Sequence, residues 1–203
     1  MAFPFTALFI IIILALFFRY RYLKKKNQEN TDQFWERETQ ANATVGRDPS
    51  TFSYVTIAAD KFPVALLESL GIVDISARLS SISEKQLMKI WDMSNTDLKL
   101  TYGVKNYDFV SECGDNFNDY ISLIIECATV LYDSKHIDEA TVLLEHGLAI
   151  GSDHSKNYTL LADIYASLNQ TSKLDMLLDL SDRAPELVQA KIKSYISEKK
   201  SHS

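Results

Sequence analysis

Two stretches of the chain, ATVLYDSKHIDEATVLLEHG (Ala128 to Gly147) and ADIYASLNQTSKLDMLLDLS (Ala162 to Ser181), align at an offset of 34 residues. Ala128 falls on Ala162, Leu131 on Tyr165, Ala140 on Leu174, Leu143 and Leu144 on Leu177 and Leu178, and Glu145 on Asp179. Each copy reads as two amphipathic helices joined by a short turn. A unit of that kind cannot bury its apolar face alone, so the copies are expected to stack on each other as a helical repeat.

The spacing of these residues resembles that of tetratricopeptide repeats. In that motif a small residue at position 8 of the first helix lets the second approach. Position 11 is large, position 20 is small, and position 24 is bulky and fills the gap between repeats. The first repeat, Ile121 to His154, carries Ala128, Leu131, Ala140 and Leu144 there, with Gly147 at position 27. The second, Ser155 to Val188, carries Ala162, Tyr165, Leu178 and Ser181, with Pro185 one residue before the motif's terminal proline. It departs at position 20, where Leu174 replaces a small residue, so its inter-helix turn is expected to be looser. A final helix, Glu186 to Lys199, has Val188, Ile192, Tyr195 and Ile196 on one stripe and lysines (191, 193, 199, 200) outside, as the end of a solenoid requires. The alternative is a generic all-helical bundle.

The resemblance implies a binding groove lined by first-helix residues. These are Ser122, Ile125, Glu126, Thr129 and Tyr132 in repeat one, and Lys156, Thr159, Leu160 and Asp163 in repeat two. Family members that clamp a peptide's terminal carboxylate use Lys and Asn in this groove. Glu126 and Leu160 stand where Asn is usual, which argues against that mode. A mixed apolar and acidic groove suits a helical or extended partner segment bearing basic residues, unless residues 64–103 fill it.

Upstream, residues 27–53 are polar and read as a spacer, within which FWERETQA (34–41) makes a short helix and leaves the pair Phe34-Trp35 in need of a contact. Residues 54–119 read as the helical first part of the folded domain, and residues 120–203 as the repeats with their cap. Tyr54 to Ile57 is expected to be extended, and VALLESLG to be a short helix closed by Gly71. Ser83-x-x-Gln86 reads as a capping box opening a helix over SEKQLMKIWDM, with Leu87, Ile90 and Trp91 on one face. Ser94 or Asn95 caps another helix, with Asp97 in its first turn and Gly103 as its stop. Asp108 to Asn118, centred on Cys113-Gly114-Asp115, reads as a loop. The layout also resembles a bacterial family of membrane-anchored proteins, through FWER at 34–37 and SNTDLKL at 94–100, a family to which no activity is attached.

The amino-terminal run MAFPFTALFIIIILALFF is followed at once by RYRYLKKK. Seventeen residues, Ala2 to Phe18, reach roughly 26 Å as a helix, close to the thickness of a bilayer core. The basic collar Arg19, Arg21, Lys24, Lys25 and Lys26 follows the span, and a cleavable signal would place its charge before the apolar run. Residues 1–26 are therefore expected to be a retained anchor contacting the lipid bilayer through residues 2–23. The protein would be single-pass in the cell membrane, amino terminus outside and the remainder cytoplasmic. The full expectation is an all-α chain: a single transmembrane helix, then a tetratricopeptide-like solenoid with a capping helix.

The net charge is −6, and all 27 acidic residues follow Lys26. A body that acidic will not bind nucleic acid unaided. Phosphate loops, GxSxG, HExxH, CxxC and EF-hand spacings are absent. His136 and Glu139 share a helix face without a third ligand, and the four histidines are scattered. The reading gives no catalytic residue, no metal site and no cofactor. What it supports is a non-catalytic adaptor or scaffold for an unidentified protein partner; the alternative is a structural subunit of a larger membrane or envelope complex.

Overall fold

The structure, a computed structural model, describes residues 3–90 and 92–201. Nine α-helices and no strand are present among the described residues, and the chain divides into two compact units. The first comprises Met1–Pro49 and Met93–Tyr107, the second Ser50–Asp92 and Asp108–Ser203.

In the first unit, α1 (Phe3–Ala43) is one helix of 41 residues. It runs through the basic collar and the expected spacer without a break, so the short helix read at 34–41 is its last part. This corrects the membrane reading. Among the described residues no helix is long and apolar enough to cross a membrane. The expected span begins in residues whose side chains lie outside the described ones. The uncharged part of α1 ends at Phe18, and Arg19, Arg21, Lys24, Lys25 and Lys26 follow within the same helix. The transmembrane anchor, the bilayer contact through residues 2–23, and the single-pass, cytoplasm-facing placement at the cell membrane are corrected accordingly.

The polar end of α1 packs on α4 (Asn95–Tyr102). The capping box expected at this helix is present: the Ser94 hydroxyl accepts from the Asp97 N–H, and the Asp97 carboxylate accepts from the Ser94 N–H at 3.1 Å. Hydrogen bonds from Ser94 hold the Asp97 carboxyl below its ordinary range, with Arg37 of α1 adding its charge. Glu38 accepts from Thr96 and Lys99, and Ala41 is fully buried. The chain then folds back along α4, where the Asn106 amide donates to the carbonyls of Arg47 and Tyr102 at 2.7 and 2.8 Å. Phe34 and Trp35 stay 54% and 62% exposed, their rings edge to face.

The second unit holds α2 (Val64–Ser69), α3 (Ile75–Ser83), α5 (Tyr107–Asp133), α6 (Ile137–Ala149), α7 (Ser155–Ser167), α8 (Thr171–Leu180) and α9 (Glu186–Ser201). Two expectations fail here, for one reason. No helix forms over SEKQLMKIWDM; its described part beyond α3 is extended or turn, and Trp91 lies outside the described residues. The expected loop at 108–118 is instead the first part of the 27-residue α5. The extended segment lies against α5, with Leu87 and Met88 buried and the Met88 N–H donating to the Cys113 carbonyl at 3.0 Å. The Leu87 carbonyl accepts from the Val55 N–H at 2.8 Å, so Tyr54–Ile57, where neither helix nor strand forms, is bonded to this segment. Gly114 is the seat: a Cβ there would fall 2.3 Å from Ile90 Cδ1. Gly114 acts as a docking notch inside a helix rather than as a breaker.

The 34-residue period is present in the backbone. Lys135 and Asn169, 34 apart, both take left-handed conformations, with φ of 68° and 54°. The His136 N–H donates to Leu131 O, and the Gln170 N–H to Tyr165 O, each at 2.8 Å. These are the six-to-one bonds of a Schellman-type helix stop, and they end α5 and α7 at equivalent residues. The turn expected to be looser at Leu174 is therefore bonded like its counterpart, and Ala140 and Leu174 are equally buried. α9 closes the stack with Ile192 and Ile196 buried. Several lysines expected to face outward reach back instead: Lys199 pairs with Asp163 at 2.7 Å, Lys193 with Asp182 and Lys200 with Asp175.

Candidate functional site

The first helices of the two pairs, α5 and α7, bring five of the nine expected groove residues to one place. Ser122, Ile125, Glu126 and Thr129 from α5 and Lys156 from α7 line a cavity of about 370 Å³, joined by Val130 and His154. Ile125 forms an apolar floor at 6% exposure, while Ser122, Glu126 and Lys156 stand at the rim. The Thr129 hydroxyl turns inward and donates to the Ile125 carbonyl at 2.6 Å, so its methyl, not its hydroxyl, is offered to a ligand.

Four expected residues do not join them. Tyr132 is half-buried against the core, Leu160 is a core residue, and the Thr159 hydroxyl donates to the Lys156 carbonyl. Asp163 is taken up by the capping helix, accepting from Tyr195 at 2.9 Å and pairing with Lys199. The cavity's electrostatics also differ from the sequence reading. Arg78 of α3 holds Glu126 through both carboxylate oxygens, at 2.9 and 2.6 Å. That fork holds the Glu126 carboxyl below its ordinary range. The acidic character expected of the groove is thus neutralised within the chain, leaving Ser122 and Lys156 as its polar edge, while His154 Nδ1 accepts from the Lys156 N–H at 3.3 Å. Cover by residues 64–103 is present in part, as this one arginine.

The packing residues of the repeat behave as expected, with one exception. Ala128, Leu131, Ala140, Leu144, Gly147 and Ala162 are buried, as is Tyr165; Leu178 is only half-buried. The collar residues Arg19, Arg21, Lys24, Lys25 and Lys26 are exposed along α1.

Elsewhere in the second unit runs a polar tie that no motif announced. The Ala58 N–H donates to the Tyr120 hydroxyl at 3.0 Å, and that hydroxyl lies 3.0 Å from His146 Nε2. The Tyr120 hydroxyl thus ties the segment carrying Ala58 to α5 and α6, the donor between Tyr120 and His146 being set by the imidazole tautomer. Burial, and then the charge of Lys61, hold the His146 imidazole below its ordinary pKa, with Asp60 opposing. Cys127 is buried in the core and its thiol is pushed up to about 12 by burial, which makes it a poor nucleophile. Among the described residues no three His, Cys, Asp or Glu side chains gather to hold a metal ion.

A second concavity lies between the second helices of the pairs. Leu148 and Ala149 of α6, Tyr165 of α7, and Met176, Leu177 and Leu180 of α8 enclose about 380 Å³. Glu145 closes one side, accepting from Tyr165 at 2.8 Å and Lys173 at 2.9 Å. Burial pushes the Glu145 carboxyl up, but these bonds and the nearby cations hold it below its ordinary range. Sequence reading missed this place because it is assembled from three helices, with Tyr165 and Lys173 lying 20 and 28 residues from Glu145.

Comparison with protein-family models, with curated proteins and with solved structures finds no match to this chain.

Proposed function

We propose that the second unit is a tetratricopeptide-like protein-interaction module, non-catalytic, whose α5/α7 face takes a segment of a partner protein. The observation that carries this reading is the convergence of five expected groove residues, drawn from both pairs, on one cavity with an apolar floor and a polar rim. The 34-residue recurrence of turn conformation and bonding supports the family resemblance. A partner side chain entering here would meet Ile125 and Thr129, with hydrogen bonds from Lys156 and Ser122 at the edge. Because Glu126 is already held by Arg78, the partner need not be basic.

Affinity capture with the full chain, compared quantitatively between variants, tests the reading. Ser122→Arg combined with Lys156→Glu should remove a specific partner set that the unaltered chain retains, while Lys105→Glu in the first unit should retain it. Identical capture by all three chains would refute the reading.

A further inference from the structure

The cleft between α6 and α8 continues into a second, smaller cavity of about 120 Å³. The two share Leu148, Ala149, Leu180 and Arg183, so an apolar chamber opens directly onto a cationic one. Gly151, at φ +98°, makes the second chamber. Its missing Cβ leaves the space in which Lys89 lies, since a Cβ there would fall 2.8 Å from Lys89 Nζ. Arg183 lines both chambers and is exposed. Among the described residues nothing forms an ion pair or hydrogen bond with its guanidinium, whereas Lys173, across the apolar chamber, is already paired with Glu145. With Lys173 paired to Glu145, Arg183 is the cation of the apolar chamber's wall that has no partner among the described residues. Met176 stands 63% exposed at the mouth of the apolar chamber.

We propose that this cleft docks an acidic amphipathic segment of a partner protein, one aliphatic side chain entering between Met176 and Leu180 and a neighbouring Asp or Glu carboxylate meeting Arg183. The choice rests on charge complementarity. A guanidinium left unpaired beside an apolar chamber is matched by a carboxylate, which accepts its planar fork in two parallel bonds. The larger chamber has room for an aliphatic side chain, and a thioether at its mouth adapts to varied apolar shapes. The site lies on the second helices of the pairs, so it is separate from the α5/α7 cavity and holds or fails without it.

The test is a fluorescence-anisotropy titration of the full chain with three labelled, acetylated and amidated twelve-residue peptides. The first has Leu at positions i, i+3, i+4 and i+7 with Glu between them; the second replaces every Glu with Gln, and the third with Lys. The Glu peptide is expected to saturate, with the Gln peptide at least tenfold weaker and the Lys peptide not binding. Arg183→Glu should weaken the Glu peptide at least tenfold, and Met176→Glu should do the same. Lys191→Glu makes the same charge change as Arg183→Glu on the exposed face of α9 and should leave binding unchanged. Arg183→Gln, with its thermal midpoint measured alongside, guards against a folding defect in the charge-reversed chain. Equal binding of the Glu and Gln peptides, no saturable binding of the Glu peptide, or an unchanged affinity in Arg183→Glu and Arg183→Gln would each overturn the proposal.

Discussion

In the first helical pair, Ala140 and Gly147 let α6 settle against its neighbours, Leu144 is fully buried, and His146 is bonded to Tyr120. In the second pair the equivalent places hold Leu174, Ser181, Leu178 and Leu180, and α8 is three residues shorter than α6. Leu174 and Ser181 are as buried as their counterparts, yet Leu178 and Leu180 are only half so. The turns are the same and the bonding is the same. The difference lies in the neighbours, because Leu180 opens on the cleft and Leu178 is only partly covered. In a stacked repeat the local pattern sets the helices and the interfaces set the stability, and this chain separates the two.

That contrast can be broken most forcefully at Leu144 and Leu178. Leu144→Ala should lower unfolding free energy by about 2–5 kcal/mol, the cost of a buried cavity. Leu178→Ala, at the same repeat position, should cost about 1 kcal/mol, since half the side chain is in water already. Equilibrium urea unfolding of the full chain measures both, and equal losses would remove the asymmetry.

Gly147 and Ser181 come next. A Cβ at Gly147 would lie 2.4 Å from Asn157 Oδ1, and Asn157 is pinned by its bond to the Leu144 carbonyl at 2.8 Å. Gly147→Ala should therefore destabilise by about 1–3 kcal/mol, as overpacking does. Ser181→Ala, which loses one bond to the Leu178 carbonyl, should cost about 1 kcal/mol or less.

His146 gives the two pairs different responses to acid. Its folded pKa is depressed by burial and by Lys61, so the unfolded chain binds the extra proton first. The stabilisation is complete above the unfolded histidine pKa, roughly 6.5, and is lost as pH falls through the lower folded value. The thermal midpoint should drop on going from pH 7 to pH 5. His146→Leu, which installs the residue found at position 180, should flatten that slope at the expense of the Tyr120 bond. A slope that survives the substitution would assign the acid response elsewhere.

The smallest effect is at the turns. A left-handed conformation costs a residue with a Cβ roughly 1–2 kcal/mol, and glycine's greater unfolded-state freedom returns about half of that. Lys135→Gly should raise stability by about 0.5–1 kcal/mol, and Asn169→Gly by less, because Asn tolerates this conformation. Thermal melts of the two variants side by side make the comparison.

The period of 34 was legible because it is written in residues that neighbour each other along one helix: Ala128 over Ala162, Leu131 over Tyr165. The cap at Ser94 and Asp97 was legible for the same reason, its partners being three residues apart. What sequence could not show is set by distant partners. Gly114 looks like a break until Ile90 is seen seated on it, and LMKI looks helical until its backbone is seen bonded to Val55 and Cys113. Glu126 and Asp163 read as an acidic groove because their neutralising partners, Arg78 and Lys199, lie 48 and 36 residues away. Residues 1–26 read as an anchor with its collar and residues 27–53 as a spacer, but one helix runs through both to Ala43.

The claim that supports the rest is that the chain repeats its fold, not only its sequence, every 34 residues. Backbone chemical shifts and amide–Hα couplings of the full chain in solution test it directly. Positive φ at both Lys135 and Asn169, each between helices that stop and restart at equivalent residues, is the predicted result. Helical shifts running unbroken through either residue would contradict it.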